Sequence, residues 1–209
     1  MSARLASLLP AALLSAVACA APAAGASEAL SVCFNYGCLT QAEVRFSDAQ
    51  LEELGRMLRR ARTPAEEREA IGEAVGHMLA WAGQQSPIGA DRGGNYKDDA
   101  VYGKMDCIDH ATTTTRLLRL LQRRGPLRFH RVLEPALRLR FVLFPHYSAL
   151  IEELPEGGAE RDKEDKEDEA DGATPARFVV DSWFFDNGRP AAVMPLDAWL
   201  DGESPDDGG

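Results

Sequence analysis

The sequence predicts an α+β fold, with N-terminal helices packed on an antiparallel sheet, for a chain of 209 residues. Two observations carry this. Apolar residues recur at helical spacing through residues 47–83 and again from about 106 to 124. After Gly125-Pro126 the period switches to two, in "LRFHRVLE", "LRLRFVLFP", "HYSALIE" and "RFVVDSWFF". The length suits one domain with a full core, and no internal repeat is present.

Each element has a local reason. Residues 1–26 carry one charge, Arg4, then the apolar run "LASLLPAALLSAVACA" and small residues, the anatomy of a secretory signal peptide. Pro10 and Pro22 break the run, which is too short for a membrane span. Cleavage after Ala26 or Ala20 fits the small-x-small rule. "SAVAC" also offers Cys19 as a lipidation site, with Ala16 where a larger aliphatic residue is usual. The expected location is therefore exported, in the periplasm or envelope, with a single domain over 27–205.

In that domain, Ser47 and Gln50 open a helix whose apolar positions are Leu51, Leu54 and Leu58. Thr63, Pro64 and Glu66 open the next, with a stripe of Ile71, Val75, Met78, Leu79 and Ala82. His77 lies off that stripe and reads as solvated. Residues 83–104 form a long irregular segment rich in Gly, Asp and Asn; loops of that length are usually functional or disordered. The third helix contains four consecutive threonines, poor helix formers, so packing has to hold it. Residues 153–176 are strongly charged with almost no apolar content and read as a solvated, disordered hairpin insertion; the clustered acids lack the spacing of a calcium loop. Asn187-Gly188 marks a turn before the last segment.

The formal net charge is −10, and −11 once Arg4 is removed with the leader. An acidic chain without a basic patch points away from nucleic acid and from anionic membrane surfaces as partners. The partners expected are peptides or proteins of the cell envelope, and no integral span is expected.

Four cysteines are present: Cys19, Cys33, Cys38 and Cys107. Cys19 belongs to the leader. In an oxidising compartment the near pair in "VCFNYGC" is the natural disulfide, with Asn35 and Gly37 helping the turn. That leaves Cys107 either as a reactive thiol or as a small buried apolar residue.

Cys107 stands at the first turn of its helix, where backbone N–H groups and the helix dipole favour a thiolate. A nucleophilic thiol needs a base. His110 is locally constrained, and His130 reads as a satisfied sheet residue. His146 starts a strand after Pro145, where a cleft residue belongs. A base needs an orienting acceptor, and Asp181 is a lone carboxylate in an apolar strand that must find a partner if buried. Strand parity places Val179, Asp181 and Trp183 on one face, and His146, Ser148 and Leu150 on one face of the adjacent strand. If those faces coincide, His146 and Asp181 meet; otherwise Asp181 takes a structural hydrogen bond.

With nucleophile, base and acceptor in this order, the chain resembles the transglutaminase-like, papain-related superfamily, particularly the bacterial transglutaminase-like cysteine proteinases. Their nucleophile motif reads approximately Gly-Asp-Cys-Glu-Asp-Tyr-Ala. Here it is Met105-Asp106-Cys107-Ile108-Asp109-His110-Ala111: both aspartates and the alanine match, while the Gly, Glu and Tyr do not. The resemblance covers about residues 95–186 and leaves the earlier helices and the "CFNYGC" loop unexplained. It implies a transglutaminase-like or papain-like core, with Cys107 as nucleophile, His146 as general base and acid, and Asp181 as orienting carboxylate. It also implies a side-chain oxyanion donor upstream of the cysteine, for which Asn95, Tyr96 and Tyr102 are candidates. The linkers between the three residues are short for the family.

The function expected is acyl transfer from a peptide or isopeptide amide, by hydrolysis or transamidation, with no cofactor. Two alternatives are a cell-wall peptide amidase and a catalytically silent binding or assembly protein of the same fold. A metal site of Cys107, His110 and Asp106 lacks a second pair to complete a tetrahedral set.

Overall fold

The computed structural model describes residues 27–94, 100–140, 144–155 and 174–205. The leader assigned to residues 1–26, with Cys19, and residues 156–173 of the acidic insertion lie outside the described residues. Among the described residues the fold mixes four α-helices with antiparallel sheet. No described helix is long and apolar enough to cross a membrane.

The chain enters as a hairpin. β1 (Ser27–Phe34) and β2 (Thr40–Ser47) pair antiparallel, with Ser27 opposite Ser47 and Phe34 opposite Thr40. The hairpin corrects the expected order, in which helices come first. Its period-two signal rests on few residues: Leu30, Val32 and Phe34 on β1, Val44 and Phe46 on β2, all buried. β1 directly follows the apolar leader, and β2 runs into the cap of the next helix, so neither stands out in sequence as a bounded strand.

The helices follow their local signals. α1 (Asp48–Leu58) starts with the capping box of Ser47 and Gln50 and buries Leu51, Leu54 and Leu58. α2 (Pro64–Gly83) is capped by Thr63 and buries the stripe from Ile71 to Ala82, leaving His77 exposed. α3 (Cys107–Arg124) is capped by Asp106 and ends at Gly125, whose φ of +78° suits glycine.

β3 (His130–Val132) and β4 (Ala136–Arg140) both pair with β5 (Phe144–Glu153), at opposite ends of it. β6 (Arg177–Asp181) lies on the other side of β5, and β7 (Ala192–Pro195) completes the sheet. His130 is satisfied, as expected: its Nδ1 lies 2.8 Å from Glu67 Oε2, a buried carboxylate that also accepts the Arg128 and Phe129 amides.

α3 lies between the hairpin and this sheet, which explains its threonines. Thr113 accepts the Cys33 amide on the hairpin side at 2.9 Å, and Thr114 meets the Ser182 hydroxyl on the sheet side at 3.0 Å. Short side chains let the helix approach both neighbours, and packing replaces the missing propensity. The sheet has two apolar faces. Ala149, Ile151 and Val180 join the main core, while Leu150 and Val179 pack on Trp199 of α4 (Leu196–Leu200).

Candidate active site

The site is assembled at the end of the sheet where α3 begins. Asp106 fixes the first turn by accepting the Ile108 and Asp109 amides at 3.0 and 2.9 Å, and Asp109 returns the contact to the Asp106 amide at 3.2 Å. Cys107 is the first residue of the helix, so its amide has no intrahelical acceptor. Its thiol is free and half-buried, with Sγ 3.9 Å from the carbonyl oxygen of Pro145. Pro145 precedes His146, so the thiol sits against the start of the histidine strand.

His146 and Asp181 share one face of the sheet. β5–β6 register sets Leu150 opposite Val179, and two residues further along that face come Ser148 and Asp181, then His146. The faces coincide, and His146 Nε2 lies 2.8 Å from Asp181 Oδ2. Cys107 stands close enough to the ring to raise its pKa, with its thiol against the carbonyl of the preceding Pro145. Asp181 is 1% exposed and fully engaged. Its Oδ2 also accepts the Trp199 indole N–H at 3.0 Å, and its Oδ1 accepts the Trp183 amide at 3.1 Å. β6 ends at Asp181, so the expected alignment of Trp183 on the strand face is corrected: Trp183 lies in the following turn. The carboxylate itself stabilises that turn by taking the Trp183 amide two residues on.

Three aromatic rings enclose the imidazole, with centroids 4.7 Å (Trp183), 5.6 Å (Trp199) and 5.9 Å (Phe184) from its own. Burial pushes the His146 pKa down. The hydrogen bonds to Asp181 and Cys107 and the negative charge of both outweigh that, and the net value rises to about 9. At neutral pH His146 is an imidazolium held against the Asp181 carboxylate.

The hairpin loop closes onto the same helix end. Cys33 and Cys38 are joined in a disulfide, as the cysteine count suggests. Asn35, Tyr36, Gly37 and Cys38 all hold positive φ, between +56° and +69°. Three of these are not glycine, at roughly 1–2 kcal/mol each. The turn aims its amides outward as a concave cradle for anions. Tyr36 and Cys38 donate to Asp109 at 2.8 and 2.6 Å, and Gly37 donates to Asp106 at 2.9 Å. Burial, with repulsion from Asp106, pushes the Asp109 carboxyl above its ordinary value, against the pull of the Asp106, Cys38 and Tyr36 amides. Cys38→Ser is expected to remove about 2 kcal/mol of stability, the value for so short a closed loop. It should also accelerate amide exchange at residues 36–38 while leaving Cys107 reactive, because Asp106 and Asp109 still cap α3. Urea unfolding and hydrogen exchange check both.

Other expected residues fall elsewhere. Tyr102 is 66% exposed, with its ring edge-on to Phe34 at 5.6 Å, and Asn95 and Tyr96 lie outside the described residues. The metal reading of Cys107, His110 and Asp106 is not assembled: the ring nitrogens of His110 face Ser182 and Asp91 instead. Among the described residues, the ligand atoms of Cys33, Cys38 and Asp109 cluster, but both sulfurs are in the disulfide and are not free thiolates. Sequence reasoning missed Trp199. A tryptophan near the C-terminus carries no local sign of a partner 18 residues upstream.

Compared with known proteins, the chain matches no family model, no curated protein and no solved structure.

Proposed function

We propose that this protein is an exported thiol acyl-transfer enzyme of transglutaminase-like type, acting on a peptide or isopeptide amide of the cell envelope. The observation that carries the reading is the His146–Asp181 contact of 2.8 Å beside the thiol at the start of α3, whose Sγ lies 3.9 Å from the carbonyl of Pro145, the residue before His146. The Cys33–Cys38 disulfide fits the oxidising compartment that an exported chain would meet.

The chemistry follows from the geometry. Cys107 Sγ attacks the amide carbonyl carbon, forming a C–S bond and an oxyanion, for which the Cys107 amide at the helix start is the proposed donor. The His146 imidazolium gives its proton to the departing amine as the C–N bond breaks, leaving a thioester. Water or a second amine then attacks the thioester, and neutral His146 takes its proton. The C–S bond breaks, an acid or a new amide leaves, and the thiolate–imidazolium pair returns. Asp181 keeps the ring oriented and its positive charge compensated throughout, itself held by Trp199 and the Trp183 amide.

An activated ester tests the reading without a known substrate. Incubation with p-nitrophenyl acetate is expected to release one equivalent of p-nitrophenol in a burst and to place an acetyl group on Cys107, located by peptide mass. Cys107→Ala should show neither. Equal slow release from both proteins would leave the silent binding protein as the better account.

A further inference from the structure

We propose that His110 and Asp91 are positioning residues for this site, a buried pair that sets the nucleophile end of α3 against the strand end bearing Asp181. The inference rests on the acyl-transfer reading and adds two residues to it.

Both side chains are buried, at 3% and 0% exposure, with His110 Nε2 and Asp91 Oδ2 3.1 Å apart. The two atoms are not aligned as a hydrogen bond, and neither has another hydrogen-bond partner among the described residues. Each is therefore compensated only by the other. A buried acid and imidazole left in that state are costly unless the fold needs them there.

Their remaining contacts show what they join. Asp91 Oδ1 accepts the Met105 amide at 2.7 Å, two residues before Cys107. Asp91 is itself anchored, its amide donating to the Ile88 carbonyl and its own carbonyl accepting the Asn187 amide. His110 Nδ1 lies 2.9 Å from Ser182 Oγ, and Ser182 also meets Thr114 one helical turn further along α3. Ser182 follows Asp181 directly. A continuous path thus runs from Met105 through Asp91, His110 and Ser182 to the residue that orients His146. The nucleophile and its base approach from different elements, and a displacement of about 1 Å between such groups can cost on the order of a hundredfold in rate. The Glu67–His130 pair makes the contrast: it binds the Arg128 and Phe129 amides, its imidazole ring packs edge-on to Phe178 of β6, and among the described residues it has no hydrogen bond to α3 or to the Asp181 end of β6.

The test compares His110→Gln, Asp91→Asn and Ser182→Ala with wild type by two readouts that need no substrate. One is the iodoacetamide rate at Cys107, mapped by peptide mass. The other is the His146 ring titration followed by proton NMR. We expect the Cys107 rate at pH 6 to fall about tenfold in His110→Gln and Asp91→Asn, and less in Ser182→Ala. The His146 midpoint should fall from about 9 toward the ordinary 6.5 in the same order. If His110→Gln fails to fold, the two milder variants decide. Folded variants that keep the wild-type rate and midpoint would make the pair a packing feature and overturn the inference. A wild-type thiol no faster than the same thiol in the unfolded chain would instead overturn the acyl-transfer reading.

Discussion

Asp181→Ala is expected to lower the unfolding free energy at pH 7 by roughly 3–5 kcal/mol, the usual cost of removing one partner from a buried charge pair. The substitution strands two buried donors at once. His146 loses the carboxylate 2.8 Å from its Nε2, and the Trp199 indole N–H loses its acceptor at 3.0 Å. The Trp183 amide loses a third contact, at 3.1 Å. Without the carboxylate the His146 ring loses the Asp181 hydrogen bond and charge that raise its pKa, so its titration moves down toward that of a buried histidine. Asp181→Asn should be milder in stability, because its amide oxygen can still accept from Trp199 or Trp183. It should be as damaging to acyl transfer, since it carries no charge to hold the imidazolium. Urea unfolding of both variants, alongside the burst assay, separates the two effects. A loss below about 1 kcal/mol in Asp181→Ala would show that the carboxylate is dispensable to the fold.

The second large effect is on the pH dependence of stability. His146 titrates at about 9 in the folded chain against 6.5 for an ordinary histidine. The folded state therefore holds this proton more tightly than the unfolded state. The stability it contributes is fully present below about pH 6.5 and is lost as pH rises through about 9. Two and a half pH units correspond to about 3 kcal/mol at most. Urea midpoints between pH 6 and 10 should fall across that window in the wild type, and the fall should shrink in His146→Ala. Acyl transfer should decline above about pH 9 as well, because the imidazolium that protonates the leaving amine is gone. A flat midpoint from pH 6.5 to 9 would contradict the raised value.

Much of this arrangement is legible in the residues themselves. The caps Ser47, Thr63 and Asp106 act through local hydrogen bonds, so they mark the three long helices before any tertiary contact exists. The pairing of His146 with Asp181 follows from strand parity, together with the rule that a carboxylate in an apolar strand needs a partner. The Cys33–Cys38 bridge follows from an odd count and a short spacing. What the sequence hides is long-range and polar. Asp91 lies in an irregular segment, and nothing near it signals that it will hold the Met105 amide. Asp109 reads as part of a motif, but its hold on the hairpin loop joins residues more than seventy positions apart. The hairpin β1–β2 is lost for a different reason: a few apolar residues per strand give a weak period beside an apolar leader. The exact end of β6 also escapes, because "DSWFF" continues the apolar pattern while Asp181 turns the chain back on itself.

The central claim is that His146 activates Cys107, and the alkylation rate of that thiol at pH 6 tests it most directly. An ordinary cysteine is only about 0.3% thiolate at that pH and reacts correspondingly slowly. The account predicts that iodoacetamide labels Cys107 of the folded wild type at least about tenfold faster than the same residue in the urea-unfolded chain, and that His146→Ala removes the advantage. Equal rates for folded and unfolded wild type, or an undiminished rate in folded His146→Ala, would contradict it.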